Sequence, residues 1–308
     1  MEDFDPEYGN LADLSAVDAL NSFAILLLGL IVAMLQRPLG DLALGLLALF
    51  ATLLFFVVLL AILATRGPVW RAVHEFSSIL IVIAVFSALG PMIEAASGPL
   101  RWDLTFARLD AALVGQLAGE WRALLGRPSW FVDLSYVLYL SYYFVPFVLG
   151  IVVYQQQTTA EFRSLAFTIV LTFYLSYLGY FLFPTLGPRV PPVAESLAIG
   201  GGMLSEAARR FLAWAERNPT DAFPSGHTAI ALLCVFRARR VSSRLTALYL
   251  PLVTGIIFST VYLHYHYVVD VLGGAALACA GAWLGPRLEP WCDPHRVIKR
   301  LGLHPDIR

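Results

Sequence analysis

Residues 42–64 read LALGLLALFATLLFFVVLLAILA and contain no charged side chain. The hydrocarbon core of a bilayer is roughly 30 Å thick and needs about 20 mostly apolar residues in helical form. This stretch therefore predicts a transmembrane helix, and it places the chain among helical membrane proteins before any other residue is considered.

Similar apolar stretches lie on both sides of this run. The predicted spans cover residues 18–36, 42–64, 76–93, 130–154, 164–183, 224–241, 245–263 and 267–285. We therefore predict an all-α integral membrane protein with about eight transmembrane helices.

The composition of the whole chain agrees with this class. Of the 308 residues, 58% are hydrophobic and 14% are charged, whereas globular proteins average about 25% charged residues. A soluble enzyme is excluded on this ground. The net charge is −1 and Lys299 is the single lysine, so the chain has no basic field for nucleic acid and such a partner is disfavoured.

Two polar segments interrupt the series of spans. Residues 99–128 interleave charged side chains with aromatic residues and leucines, which is typical of amphipathic helix at a membrane interface. Residues 184–221 begin with a Pro- and Gly-rich turn and include a predicted short helix around 203–215.

Arginine placement predicts the orientation in the membrane. Four arginines lie within residues 237–244, and basic residues in short loops favour the cytoplasmic side. We expect both termini in the cytoplasm and both polar segments on the extracytoplasmic or lumenal face.

The first segment with catalytic side chains is DAFPSGHT, residues 221–228. Pro224 and Ser225 make a favourable helix start with Ser225 as the N-cap. The amides of Gly226, His227 and Thr228 would then be donors at a positive helix terminus, which is an anion site. His227 would exchange a proton beside that anion.

The second segment is STVYLHYHYVVD, residues 259–270. His266 and Asp270 are four residues apart, so on a helix they share one face and the carboxylate holds an imidazole N–H. His264 would point elsewhere, which makes His266 the better nucleophile candidate. By the span count, both segments and Arg189 of Phe183-Pro-Thr-Leu-Gly-Pro-Arg189 emerge on one membrane face.

Other interpretations of these residues stay open at this point. Interfacial histidines are often structural, and Pro-Ser-Gly can simply start a helix. His227, His264, His266 and Asp270 are zinc ligands in principle, although their spacing is not a firm zinc pattern. A proton-coupled transporter using His and Asp is disfavoured because these residues lie near the ends of the spans.

The motif Phe223-Pro-Ser-Gly-His-Thr228 and the later Ser259-x6-His266-x3-Asp270 resemble the second and third signatures of the type-2 phosphatidic acid phosphatase superfamily. Its members are integral membrane lipid phosphatases and phosphotransferases related to vanadium haloperoxidases. The resemblance covers about residues 75–287.

The first signature of that family, a lysine and then Arg-Pro after six residues, is replaced here by Gly187-Pro188-Arg189 alone. Thr260 stands where the third signature has arginine. The loss of both cations, with Tyr262-Leu-His-Tyr-His-Tyr267, resembles the branch that includes inositol phosphorylceramide synthases.

The resemblance implies a division of the chain. Residues 1–72 would be an acidic N-terminal tail with two accessory transmembrane helices, residues 73–287 a six-helix phosphatase-like catalytic core, and residues 288–308 a basic cytoplasmic tail.

It also implies roles for the residues quoted above. His266, oriented by Asp270, would attack phosphorus and form a phosphohistidine, and His227 would protonate the leaving alkoxide. Arg189, Ser225 and Gly226 would bind phosphate, with Arg101 or Arg217 as helpers. The supporting residues would be His264, Asp221 and Thr228.

The implied activity is that of a lipid-phosphate phosphatase or phosphotransferase that needs no metal or other cofactor. Its partners would be a lipid phosphate or phospholipid and the bilayer itself. Hydrolysis is the expected reaction, and the alternative is head-group transfer of the phosphosphingolipid or phosphoinositol lipid synthase type.

Overall fold

The computed structural model describes residues 14–98, 100–115, 117–188, 200–215 and 218–300. Within these ranges the regular secondary structure is helical, and several helices are long and apolar enough to cross a bilayer. The predicted class of all-α integral membrane protein is confirmed.

The N-terminal part is a helical hairpin. Helix α1 (Ala16–Met34) begins at a capping box formed by Ser15 and Asp18, and a short α2 (Gln36–Leu39) leads into α3 (Leu42–Ala64). Leu44 and Phe55 of α3 are 75% and 62% exposed. Such apolar side chains face lipid in a membrane-spanning helix.

Helix α4 (Pro68–Ser97) is much longer than the span predicted at 76–93, with Pro91 near its end. The predicted amphipathic segment folds as two helices, α5 (Asp103–Val114) and α6 (Leu117–Leu125).

The span predicted at 130–154 is broken. Helices α7 (Ser129–Ser141) and α8 (Val145–Gln156) meet at a bend of 46°. Pro146 explains the break, because it has no amide hydrogen and its ring clashes with the carbonyl four residues earlier. Helix α9 (Thr159–Leu182) then starts at a capping box of Thr158 and Glu161.

The predicted helix around 203–215 is confirmed as α10 (Met203–Ala215). Asp133 of α7 accepts hydrogen bonds from the amides of Gly202 and Ser205, each at 2.9 Å, and so fastens α10 to α7. The remaining helices are α11 (Gly226–Val241), α12 (Ser243–Tyr262), α13 (Val268–Cys292) and α14 (Pro294–Arg300).

Within the described residues, six helices are long and apolar enough to span a membrane, or seven if the bent pair α7–α8 is one span. Each of the eight predicted spans corresponds to a helix or to this pair. The one predicted span that is not among these six or seven is α11, whose 16 residues extend only about 24 Å. It lies inside the bundle, with Ala229, Leu233 and Cys234 fully buried.

A hydrogen-bonded histidine and an ion pair join helices at the end of the bundle where α1, α4 and α9 begin. The ring Nε2 of His74 lies 3.1 Å from both carboxylate oxygens of Asp18, and Arg163 lies 2.7 Å from Glu75. Arg237 of α11 reaches the carbonyl of Glu161 at this same end.

Helix α13 approaches α9 very closely through two glycines spaced four residues apart. A Cβ at Gly281 would overlap the Thr172 side chain, and one at Gly285 would overlap Thr168. Small residues at this spacing let membrane helices pack backbone against backbone. The pairing places the start of α13 beside the end of α9.

We expect Gly281→Leu to lower the free energy of unfolding in detergent by about 1–3 kcal/mol, the typical effect of overfilling a packed interface. Thermal unfolding of the purified protein measures this. Ala276→Leu adds the same kind of side chain on the exposed face of α13 and is the matched control. Equal unfolding temperatures for the two variants would contradict the close approach of α9 and α13.

Candidate active site

The two segments singled out in the sequence meet at one end of the bundle. The ring centroids of His227 and His266 are 5.7 Å apart. His227 is in the first turn of α11, whereas His266 lies in the connection between α12 and α13. The candidate site therefore lies where the start of α11 meets the connection between α12 and α13.

His266 lies just before α13, whose N-cap is Tyr267, and not on the helix as predicted. Its Nδ1 is 2.9 Å from the carbonyl oxygen of Ala222 and 3.5 Å from Oδ2 of Asp270. A carbonyl oxygen only accepts, so Nδ1 must carry the proton and donate it. The neutral ring then has its lone pair on Nε2.

Asp270 is fully buried and occupies the third position of α13. Its Oδ2 accepts a hydrogen bond from the amide of Tyr267 at 2.8 Å, which closes the first turn of the helix. The carboxylate is thus a helix cap as well as a neighbour of His266. The nearest partner of the imidazole is the Ala222 carbonyl, not the carboxylate that the sequence indicated.

The start of α11 has the predicted cap. Ser225 is the N-cap, and its hydroxyl accepts from the amide of Thr228 at 3.2 Å. The Thr228 amide is therefore occupied by the cap, so the prediction that it donates to an anion is wrong. The donors that remain in the anion hypothesis are the amides of Gly226 and His227, in the first turn, where a helix has no carbonyl of its own to bond.

A backbone contact joins the two segments directly. The amide of Ser225 donates to the carbonyl of Asp270 at 3.0 Å. Gly274 makes this possible, because a Cβ there would overlap the Ser225 carbonyl oxygen. The beginnings of α11 and α13 are consequently fixed relative to each other.

Two tyrosines of the α7 region pack on His227. The ring centroid of Tyr139 is 4.5 Å from that of His227, and the centroid of Tyr142 is 4.2 Å away. Both tyrosines are buried. Their rings pack on the imidazole and restrict its plane.

Asp221 belongs to a short bridge that positions Ala222. Thr185 and Asp221 form an isolated parallel β-bridge, in which the Ala222 amide donates to the Thr185 carbonyl at 3.1 Å. The bridge positions the Ala222 carbonyl, which accepts the hydrogen bond from Nδ1 of His266. Asp221, predicted as a supporting residue, lies within 6 positions of His227 on the same segment.

Asp103 anchors the turn that leads toward Arg189. Its Oδ1 accepts from the amides of Leu186 and Gly187 at 2.8 and 3.0 Å. The Trp102 amide donates to the Pro184 carbonyl at 3.1 Å, which adds a second connection. The start of α5 thereby sets the position of residues 184–187.

The predicted cations are only partly described by the structure. Arg189 and Arg217 lie outside the described residues. Arg101 donates to the carbonyls of Gly98 and Leu100 at 3.0 and 2.9 Å, so it supports the end of α4.

Asp110 is a second carboxylate at the start of α13. Its Oδ1 accepts from the Val269 amide at 2.9 Å. Burial raises the pKa of Asp110 above its usual value, and the hydrogen bonds from Val269 and Val268 oppose that rise. Burial, with the nearby carboxylates of Asp103, Asp270 and Asp110, raises the pKa of Tyr267 to about 12, so its hydroxyl stays protonated.

His264 adopts a left-handed backbone conformation with φ of 59°, which turns the chain between α12 and α13. Among the described residues, no three or more His, Cys, Asp and Glu side chains come together as ligands for a metal ion. The zinc set of His227, His264, His266 and Asp270 is therefore not assembled.

Several residues of the site were not predicted as part of it. Asp103 and Asp110 had a usable signal, since they lie seven residues apart and so share one face of an amphipathic helix. The tyrosines on His227 had a weaker one, in the tyrosine-rich run of residues 136–143. The Ala222 carbonyl had none, because a backbone acceptor is defined only by the folded chain.

The two histidines thus lie beside the starts of two helices of an apolar helical bundle, His227 in the first turn of α11 and His266 just before α13. The family model of the PAP2 superfamily matches residues 104–284, which is more than half of the chain. The protein belongs to the PAP2 superfamily. Comparison with curated proteins and with solved structures gave no match.

Membership of this superfamily implies phosphoric ester hydrolase or phosphotransferase activity at a membrane.

We expect Asp103→Ala to lower kcat/KM for phosphate release by about tenfold, because two amides of the turn at 186–187 lose their acceptor and such a loss costs roughly 1–3 kcal/mol.

Thr105→Ala, at an exposed position of the same helix, is the matched control for Asp103→Ala. Asp103→Asn retains an oxygen acceptor and should recover part of the activity. Wild-type turnover in Asp103→Ala would show that the turn does not depend on this carboxylate.

Proposed function

We propose that this protein is a lipid-phosphate phosphatase or phosphotransferase that works through a phosphohistidine on His266. The observation that carries the proposal is the hydrogen bond from Nδ1 of His266 to the Ala222 carbonyl. Because it holds the proton on Nδ1, it leaves Nε2 as a nucleophile. Asp270, 3.5 Å from the same nitrogen, stabilises the positive charge that develops on the ring.

In the proposed first step, Nε2 of His266 forms a bond to phosphorus while the bond from phosphorus to the lipid oxygen breaks. His227 donates a proton to that departing oxygen. The centroid distance of 5.7 Å between the two rings is short enough for both imidazoles to contact one phosphoester. Tyr139 and Tyr142 keep the His227 ring oriented toward it.

The negative charge on the phosphoryl oxygens needs donors. The start of α11 offers the amides of Gly226 and His227 at the positive end of a helix dipole. Ser225 holds this turn in place. We assign Arg189 as the cation of the site, with Arg101 or Arg217 as the alternatives, since a guanidinium binds two phosphoryl oxygens at once.

In the second step an acceptor oxygen attacks phosphorus, the bond to Nε2 breaks, and His227 takes the proton of the acceptor. Water as acceptor gives hydrolysis, which we propose as the default reaction. An alcohol as acceptor gives head-group transfer, and the histidine- and tyrosine-rich connection 262–267 favours this second candidate. Assays with and without added alcohols, scored by the released products, distinguish the two.

We place the site at the extracytoplasmic or lumenal face, with both termini in the cytoplasm. The arginines of residues 237–244 lie at the end of α11 that is opposite to His227, and basic residues near short loops favour the cytoplasmic side. We also propose the division of the chain at residues 72 and 287, with 73–287 as the catalytic core.

His266→Ala should reduce turnover by several orders of magnitude and abolish an acid-labile phosphoenzyme, because the nucleophile forms the first new bond. Rapid quenching of the purified enzyme after mixing with radiolabelled lipid phosphate detects this species. His264→Ala, two residues away, should retain the labelled phosphoenzyme. More than a tenth of wild-type turnover in His266→Ala would refute the proposed nucleophile.

His227→Ala should mainly slow substrates with poor leaving groups, since general-acid assistance is worth typically 10²–10⁴-fold. An aryl phosphate, whose phenolate departs without a proton, should lose much less activity than an alkyl phosphate. The ratio of kcat/KM for the two substrates is the measurement. A loss of equal size for both would assign His227 to another role.

A further inference from the structure

A cavity of about 580 Å³ starts at the proposed catalytic residues and continues into the bundle. Gly226, His227 and Asp221 line one end of it. Its other end is lined by Glu75 and Phe162, near the first turns of α4 and α9. The cavity therefore runs from the phosphate site toward the opposite end of the protein.

The walls between these ends are mostly apolar, and their polar groups are the hydroxyls of two serines and of several tyrosines. They are formed by α4, α8 and α9, and the buried aliphatic part consists of Val82, Leu165, Ile169 and Val170. The charged lining residues Asp221 and Glu75 lie at opposite ends. Phe211 and Trp214 of α10 border the end next to His227. The volume is in the usual range of about 300–1,000 Å³ for ligand sites.

The cavity is long enough to cross most of a membrane. Tyr180 and Phe162 both line it. Tyr180 lies next to Gly226, because its hydroxyl oxygen is 2.8 Å from the point where a Cβ on Gly226 would be. The 18 residues between them on α9 extend about 27 Å. The hydrocarbon core of a bilayer is about 30 Å thick, so the depth matches an extended hydrocarbon chain rather than a head group.

An aromatic cluster closes the far end. The ring of Phe76 lies 5.0 Å from Phe162, 5.5 Å from Tyr154 and 5.7 Å from Phe147, measured between centroids. Glu75, which lines this end as well, is paired with Arg163 at 2.7 Å. A chain end that reached this point would meet packed rings and a carboxylate, neither of which offers further apolar space.

We propose that this cavity holds one hydrocarbon chain of the lipid substrate and that Phe76 sets the longest chain that fits. This inference rests on the proposed function, because it places the phosphate of the same molecule between His227 and His266. Lipid tails are as apolar as the walls, so the cavity selects by shape, not by a hydrophobic driving force. A chain that is too long must displace the aromatic cluster.

The position of the chain end is tested by photolabelling, which does not require turnover. The probe is an alkyl phosphate with a photoreactive diazirine on its terminal carbon, mixed with the purified full-length protein in detergent. We expect label on the peptides that contain Phe76 and Phe162. Label confined to lipid-facing positions of α4 such as Leu80, which is 69% exposed, would overturn the proposal.

The length limit is tested by kinetics on a series of single-chain alkyl phosphates at a fixed mole fraction in one detergent. Ile79 lines the cavity and is about 4.5 Å nearer the site than Phe76 along α4. Ile79→Trp should therefore shorten the longest chain that is turned over efficiently by a few carbon atoms, and Phe76→Ala should lengthen it.

Leu80→Trp is the matched control for Ile79→Trp, because it adds the same ring on the adjacent residue, outside the cavity. Identical chain-length profiles for the Ile79 and Leu80 variants would overturn the proposal. Label at Phe76 and Phe162 without phosphate release from any probe would contradict the proposed function and uphold the chain site. Phosphate release with label elsewhere would do the reverse.

Discussion

The hydrogen bond between Nδ1 of His266 and the Ala222 carbonyl is the interaction on which the site depends. It selects the tautomer of the ring, and it joins the connection before α13 to the segment before α11. Ala222 is held in turn by the hydrogen bond from its amide to the Thr185 carbonyl, and the turn at 186–187 is held by hydrogen bonds to Asp103. Four separate stretches of chain are thus linked by hydrogen bonds to backbone groups, and a shift in any of them would move His266, the proposed nucleophile.

The apolar surroundings expected in a membrane explain why carboxylates accept hydrogen bonds from the backbone amides at these helix ends. A helix end in or near the hydrocarbon region cannot leave its first amides without partners, because water is scarce there. At the start of α13, Asp270 accepts from the Tyr267 amide and Asp110 accepts from the Val269 amide. The same caps that stabilise the helix ends also fix the connection that carries His266, so local stability and the geometry of the proposed catalytic site have a common cause.

The sequence predicted what depends on composition and on neighbouring residues, namely the helical membrane class and the Ser225 cap. It also predicted that Asp270 is near His266, although the closer partner of the imidazole is the Ala222 carbonyl. It did not predict the bend at Pro146, since a long apolar run hides a single missing amide. It misplaced His266 on a helix, because spacing alone does not show where α13 begins. The Ala222 carbonyl and the tyrosines on His227 depend on contacts between distant segments, which no local pattern encodes.

The polar site and the apolar cavity meet at Gly226 and His227. In the proposed function this junction has two kinds of selectivity, and phosphate is recognised by directed donors at a helix start, where geometry is strict. A hydrocarbon chain offers no directed contact, so in the proposed binding mode the shape of the walls formed by α4, α8 and α9 selects it. Because α9 contributes both Tyr180 beside Gly226 and Phe162 at the far end, one rigid helix fixes the distance between the head-group site and the chain end.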